Sequence, residues 1–290
     1  MADPRIKAAL AAHDFIAAPG VYDLISALIA DRMGFKALYV TGYGVVASHL
    51  GLPDAGIATY TDMIGRIGQI ARMTKTPIIA DADTGYGGLL NVRHTVRGYE
   101  QAGVTAIQLE DQEFPKKCGH TPGRRVIPLD DMVQKIRVAC DSRSSADFLI
   151  IARTDSRASL GLDEALRRGA AFARAGADMV FIEAPTSEAE IITIAERIDA
   201  PVLVNLVNGG RTPMLSAERL VEIGCAAAIF PTAGFLAAAA ALEGAYAEIR
   251  ESGISTDRVP MYSFDAFTRM IGFPDVWEFE KRYGVSEKRD

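Results

Sequence analysis

Cysteine is scarce: Cys118, Cys140 and Cys225 are the only three in 290 residues. An odd and small number argues against a disulfide framework and for a reducing, cytoplasmic setting. Long apolar runs are missing too. No stretch approaches the ~18 residues that would cross a bilayer, and the alanine run 237–241 is short enough to be a closely packed helix. Residues 1–18 are mixed in polarity and lack the basic start and apolar stretch of a secretory leader. No Lys/Arg-rich run stands out against a net charge of −6, which removes nucleic acid and acidic membrane surfaces as candidate partners.

What is present is core-forming sequence. Hydrophobic residues make up 49% and charged residues 23%, enough for one large domain, since a closed barrel commonly runs to about 250 residues as a unit. Eight short apolar, β-branched segments stand between turn signals: Phe15–Gly20, Lys36–Gly42, Pro77–Asp83, Ala106–Asp111, Phe148–Asp155, Met179–Ala184, Pro201–Val207 and Ala226–Pro231. Most are apolar on both faces, as parallel strands covered by helices must be. Amphipathic stretches lie between them, among them 23–33, 62–73, 91–102, 129–139, 162–175 and 216–223. Gly34, Gly103, Gly176 and Gly224 fall where a left-handed residue would close a helix. Thr61 or Asp62, Asn91 and Ser216 are the expected N-caps. Strict alternation repeated eight times predicts an α/β fold, a (β/α)8 TIM-type barrel forming a single domain over 1–290. An open doubly wound sheet is the alternative, but Pro19-Gly20-Val21-Tyr22 is not the glycine-rich phosphate loop it would carry. From 244 a helical extension follows, with aromatic residues through 261–283 too apolar for water; it covers its own barrel or a neighbouring subunit.

The polar residues collect at the ends of the predicted strands: Thr41-Gly42-Tyr43-Gly44, Asp81-Ala82-Asp83, Glu110-Asp111, Arg153-Thr154-Asp155, Glu183 and Asn205. In such barrels the C-terminal strand ends build the active site. Asp81 and Asp83, two apart in a strand, are expected on one side, where like charges need a counter-charge. A hard cation such as Mg²⁺, with Mn²⁺ as a substitute, suits them, with Glu110 and Asp54 holding its waters. The plainer reading is that both aspartates cap turns or pair with Arg153. Gly42, Gly44, Gly85, Gly87 and Gly88 allow close backbone approach to an anionic ligand, or serve only as tight turns. Arg153 offers a fork for a carboxylate and Asn205 a neutral donor.

The segment Pro115-Lys116-Lys117-Cys118-Gly119-His120-Thr121-Pro122 carries a different chemistry. A cysteine flanked by lysines and a histidine has surroundings that favour its thiolate. Cys118 is thus a candidate nucleophile, acid/base or metal ligand on a loop able to swing. Cys140 and Cys225 have the apolar surroundings of inert thiols, and His13, His49 and His94 lack comparable company.

These motifs together resemble the isocitrate lyase/phosphoenolpyruvate mutase superfamily. The resemblance rests on Asp81 to Gly87, Glu110-Asp111-Gln112, Lys116 to His120, Ile151 to Asp155, Phe181 to Ala184 and Asn205 to Pro213, and spans roughly Phe15 to Phe279. The Lys-Lys-Cys-Gly-His loop is similar to that of the carbon–carbon lyase branch, including methylisocitrate lyase and 2,3-dimethylmalate lyase. Phosphonate-forming mutases carry an Asn-Ser-containing loop there. Asn208-Gly209-Gly210-Arg211-Thr212-Pro213 is closer to the malate-type lyases than to methylisocitrate lyases, which tend to have Glu-Phe-Gly. The resemblance implies a Mg²⁺ site, a homotetramer, and C-terminal helices exchanged between subunits.

It also implies a reaction: retro-Claisen cleavage of a 2-hydroxy or 2-oxo di- or tricarboxylate, a small-molecule carboxylate substrate. In that scheme Asp81 carries the metal, and Tyr43 and Gly44 stabilise oxygen charge through their amides. Arg153 clamps a carboxylate, helped by Asn205, with Glu183 beside them at the substrate. Cys118 donates a proton to the departing carbon. The hydroxyl proton goes to Glu110, Tyr43 or a metal-bound water. Alternatives on the same scaffold are a phosphonomutase-type enzyme of phosphorus–carbon bonds and an oxaloacetate hydrolase. A non-catalytic barrel would have lost some of Asp81, Asp83, Glu110, Arg153 and Cys118, yet all are present.

Overall fold

Eight short strands alternate with helices, and each strand pairs in parallel with the next until the last pairs with the first, closing the barrel. The computed structural model describes residues 2–119, 121, 123–256 and 258–284. Helix α1 (Arg5–Ala11) precedes β1 (Ile16–Val21), α2 (Leu24–Asp31) and β2 (Leu38–Val40). Helices α3 (Gly42–Leu50) and α4 (Tyr60–Met73) lead to β3 (Ile78–Asp81), α5 (Leu89–Gln101), β4 (Ala106–Glu110) and α6 (Leu129–Ser142). Then come β5 (Leu149–Thr154), α7 (Arg157–Leu160), α8 (Leu162–Arg174), β6 (Met179–Ile182) and α9 (Glu188–Arg197). Strand β7 (Val202–Asn205), α10 (Ala217–Ile223), β8 (Ala227–Phe230) and α11 (Ala233–Ser252) follow, then α12 (Phe264–Met270) and α13 (Phe273–Tyr283).

The period of two along a strand divides the core into two parts. Ile16, Tyr39, Ile79, Ala106, Leu149, Ile151, Met179, Phe181, Leu203 and Ile229 point inward and fill the barrel. Val40, Ala80, Ile107, Leu109, Ile150, Ala152, Val180 and Val204 point outward and pack against helix residues such as Ile67, Val96, Ile136 and Phe172. The same alternation, carried to the strand ends, decides which polar side chains face the mouth. Asp81, Glu110, Arg153, Glu183 and Asn205 continue the inner files; Asp111 and Thr154 continue the outer ones.

All four glycines expected to close helices do so with positive φ: 79° at Gly34, 94° at Gly103, 104° at Gly176 and 96° at Gly224. The N-caps are partly different from the expectation. Ser216 caps α10, but α4 is capped by Thr59 and α5 begins after Gly88. Asp62 and Asn91 instead sit one turn in and reach back to the amides of Thr59 (2.8 Å) and Gly88 (3.1 Å). The second strand stops at Val40 rather than Gly42, and Gly42 already begins α3. Asp83 also differs: β3 stops at Asp81, and Asp83 takes a left-handed φ of 48°, so the two-apart strand argument does not describe it.

The chain divides into two compact units, residues 1–235 and 236–290. Within the second, Glu248 accepts from the Thr256 amide at 3.2 Å. Arg269 stacks over Trp277, 5.5 Å from the ring centroid, and Phe273 packs beside the same ring. Phe264, Phe279 and Tyr283 of this unit are exposed.

Candidate active site

Arg153 is the centre of the inner ring. Its Nε and Nη2 both donate to the Asp155 carboxylate at 2.9 Å. Nη1 lies 3.3 Å from Glu110 Oε2, and Nη2 lies 3.4 Å from Glu183 Oε2. The guanidinium also stands 5.2 Å over the Phe181 ring. The fork expected to be open for a substrate carboxylate is therefore engaged on one edge by Asp155, leaving the Nη1 edge toward Glu110. Asn205 Nδ2 donates to Glu183 Oε2 at 3.1 Å, which joins β6 and β7 into the same ring.

Asp81 is held from two sides. Its Oδ1 accepts from the Asp83 amide at 3.0 Å, and Gln108 Nε2 approaches it at 3.5 Å. Gln108 Oε1 in turn accepts from the buried Tyr39 hydroxyl at 3.0 Å. Oδ2 lies against the start of α3: a Cβ on Gly42 would be 2.6 Å from it. Thr41 caps α3, accepting weakly from Gly44 N at 3.4 Å. The first amides of a helix have no partner within it. Of the two expected amide donors, Tyr43's is thus the one the helix leaves uncommitted. Its ring stacks on Phe235 with centroids 5.4 Å apart.

Lys116 was expected beside Cys118 as a source of positive field, and the structure uses it otherwise. Its Nζ is buried between Asp54 Oδ1 and Asp83 Oδ1, 2.6 Å from each. Two neighbouring residues of the loop are held as well. Cys118 N donates to Asp54 O at 3.2 Å, and Lys117 N and O both bond the Gln112 amide at 3.0 and 2.8 Å. Gly119 is buried directly against the ring: a Cβ there would meet Arg153 Nη2 at 2.4 Å and Glu183 Oε2 at 2.8 Å. A side chain at 119 would have to displace these ring groups, and the preceding residue, Cys118, is half-buried. His120, the last residue of the motif, lies outside the described residues.

Sequence reasoning missed a second, outer layer. Asp111 accepts from Thr154 Oγ1 (2.7 Å), the Asp155 amide (2.9 Å) and Arg168 Nη1 (2.9 Å), while Arg124 Nη1 reaches Asp155 at 2.9 Å. An arginine within an amphipathic helix reads as surface, so only the repeat Glu110-Asp111 gave any signal.

In all, seven carboxylates (Asp54, Asp81, Asp83, Glu110, Asp111, Asp155, Glu183) face four cations (Lys116, Arg124, Arg153, Arg168), all with buried side chains. The imbalance shows in their acidities. Burial pushes Glu110 well above the usual carboxylate range despite Arg153 nearby. Burial likewise raises Asp111 to about 6. Burial also raises Asp83, with Lys116 opposing. Asp155 goes the other way: burial is outweighed by Arg153, which holds it low. For Lys116, burial is outweighed by Asp83, Glu110 and Asp54, so it stays charged.

Glu110 Oε1 is moreover buried without a hydrogen-bond partner. Surplus buried oxygen charge of this kind fits a hard divalent cation. Among the described residues no three acids gather closely enough to cage a metal by themselves. The fit is to an ion that takes one or two carboxylates and keeps its waters, the habit of Mg²⁺. Among the described residues no helix is long and apolar enough to cross a membrane.

The phosphoenolpyruvate phosphomutase family matches residues 6–250. A 2,3-dimethylmalate lyase from Eubacterium barkeri is 43% identical over 97% of this chain and 98% of its own length. A 2-methylisocitrate lyase from Aeropyrum pernix is 42% identical over 93% of this chain and 86% of its own. The crystal structure of a 2,3-dimethylmalate lyase, a PEP mutase/isocitrate lyase superfamily member, superposes with a TM-score of 0.90 at 36% identity, covering 100% of this chain and 98% of that one. A phosphonopyruvate hydrolase in complex with oxalate and Mg²⁺ superposes with a TM-score of 0.87 at 28% identity, covering 98% and 99%.

Proposed function

The chain belongs to the phosphoenolpyruvate mutase/isocitrate lyase superfamily, and on that footing we propose that it is a Mg²⁺-dependent carbon–carbon lyase. Its substrate would be a 2-hydroxy dicarboxylate of the 2-methylmalate or 2,3-dimethylmalate type, cleaved to pyruvate and a second carboxylate. One observation carries this reading above the others: Gly119, the residue after Cys118, is seated on Arg153 and Glu183. A thiol at the mouth of an anion-binding ring is what protonation of a departing carbanion requires. The lyase names of two relatives above 40% identity support it.

Asp81 would hold the ion directly, with Asp83, Asp54 and Glu110 acting through its waters. Bound there, Mg²⁺ supplies Lewis-acid stabilisation of negative charge on the substrate's 2-oxygen. Arg153 binds a substrate carboxylate through its Nη1 edge while Asp155 fixes the other edge. Asn205 and Glu183 form the neighbouring wall. The Tyr43 amide, at the positive end of α3, faces developing oxygen charge. The substrate's 2-hydroxyl proton passes to Glu110, Tyr43 or a water as the carbonyl of pyruvate forms, and Cys118 delivers a proton to the leaving carbon. Closure of the 114–125 loop excludes water, so the carbanion is quenched by one defined donor.

The exposed aromatic residues of the second unit (Phe264, Phe279, Tyr283) support exchange of C-terminal helices within a homotetramer, with 1–290 forming one barrel domain plus its extension. Three free cysteines support a reducing, cytoplasmic location.

The test is a substrate screen of purified protein with Mg²⁺. Pyruvate release from 2-methylmalate, 2,3-dimethylmalate and 2-methylisocitrate is followed by coupling to lactate dehydrogenase, and oxalate release from oxaloacetate is measured alongside. Turnover of a malate-type substrate is expected. No product from any of them, or phosphonopyruvate formed from phosphoenolpyruvate in a phosphorus NMR spectrum, contradicts the reading.

A further inference from the structure

We infer that Arg168, on the outer helix shell, is a positioning residue that sets the Arg153 guanidinium through Asp111 and Asp155. The strand alternation explains how one residue can act on the mouth from outside the barrel. Glu110 and Arg153 end the inner files of β4 and β5, whereas Asp111 and Thr154 turn outward toward the helices. There Asp111, fully buried, would be costly without partners. Arg168 of α8 supplies the charge, with Nη1 2.9 Å from Asp111 Oδ2. Arg168 is itself anchored by Ile127 O at 3.0 Å and by Glu164 Oε1 at 2.8 Å.

From Asp111 the bonds run inward. Its Oδ2 takes the Thr154 hydroxyl at 2.7 Å and its Oδ1 takes the Asp155 amide at 2.9 Å. Both residues that follow Arg153 are thus pinned to one carboxylate. Asp155 then receives Nε and Nη2 of Arg153, each at 2.9 Å. A buried ion pair is a weak source of net stability, although removing Arg168 alone would leave the Asp111 carboxylate desolvated without its cation. What the charged pair adds is direction: planar, bidentate bonds that fix an orientation.

The proposal predicts a spectroscopic and a kinetic effect. In protein labelled with ¹⁵N-arginine, the Arg153 Nε–H resonance, assigned by its loss in Arg153→Lys, is shifted and exchanges slowly because Asp155 holds it. In Arg168→Met this resonance moves and its exchange with water speeds up at least about tenfold, the scale of one lost charge-assisted hydrogen bond. KM for the malate-type substrate rises by about the same factor, with a smaller change in kcat. Arg168→Lys, which keeps one donor on Asp111, falls between native and Arg168→Met in both. A native Arg153 resonance and native KM in folded Arg168→Met overturn the proposal. If Arg168→Met does not fold, Asp111→Asn, of nearly identical shape, is read the same way, and an unchanged Arg153 resonance there overturns it. Only the kinetic arm rests on the lyase reading. Inactivity of the native enzyme faults that reading and leaves the NMR result standing.

Discussion

Lys116 and Asp83 form a buried ion pair, 2.6 Å from Nζ to Oδ1, that fastens the 114–125 loop at Lys116 to the residues just past β3. Asp54, 2.6 Å away, completes the clasp. Breaking a buried pair by removing one partner leaves the other charged and desolvated, at a cost of about 3–5 kcal/mol. Lys116→Met is therefore expected to lower stability by that order in a urea titration. It should also expose the 114–125 loop to limited proteolysis. Native stability and native protease resistance would show that the clasp carries no load.

Gly119→Ala tests the approach of the loop to the ring. The added Cβ would fall 2.4 Å from Arg153 Nη2 and 2.8 Å from Glu183 Oε2, closer than atoms can sit. The collision is at the mouth rather than in the core, so the melting temperature should stay within a few degrees. Turnover should fall at least about tenfold, as expected when a group is displaced by about an ångström. Native turnover in this variant would mean the loop works from another position.

The thiols should differ in reactivity. Burial pushes Cys140 and Cys225 up to about 11, so little of either is thiolate near neutrality. Cys118 is half-buried on the loop. Iodoacetamide at pH 7.5 is expected to modify Cys118 well before the other two, as read by peptide mass spectrometry. Equal labelling of all three would contradict the contrast.

Much of the barrel could be read from residues alone, because parallel strands covered on both sides leave unbroken apolar runs. The inner ring could be read too: Asp81, Glu110, Arg153, Glu183 and Asn205 stand at or next to the C-terminal ends of their strands, and strand parity turns all five inward. What escaped depends on where the chain leaves that pattern. Gly42 looks like the end of a strand, but it begins α3 under the Thr41 cap. Asp83 looks like strand but takes a left-handed turn. Lys116 is near Cys118 in sequence, yet its long side chain runs back to Asp54 and Asp83. Arg168 joins Asp111 across 57 positions of sequence, a pairing no local pattern announces.

The second unit gives a prediction of assembly. Phe264, Phe279 and Tyr283 are exposed there, and exposed aromatic clusters are ordinarily covered by a partner. Light scattering after size exclusion should give about four times the 31.1 kDa chain mass. Removing residues 261–290 should lower that mass. A monomer in the full-length protein would contradict the exchange of C-terminal helices.

The central claim is that Cys118 protonates the departing carbon. Its most direct test is the steady-state rate of Cys118→Ser with Mg²⁺ and the malate-type substrate, alongside pyruvate binding by calorimetry. Turnover is expected to fall at least ~100-fold, the scale of a lost general acid, with pyruvate affinity unchanged. Turnover within about threefold of the native enzyme, less than general acid catalysis contributes, would contradict the account.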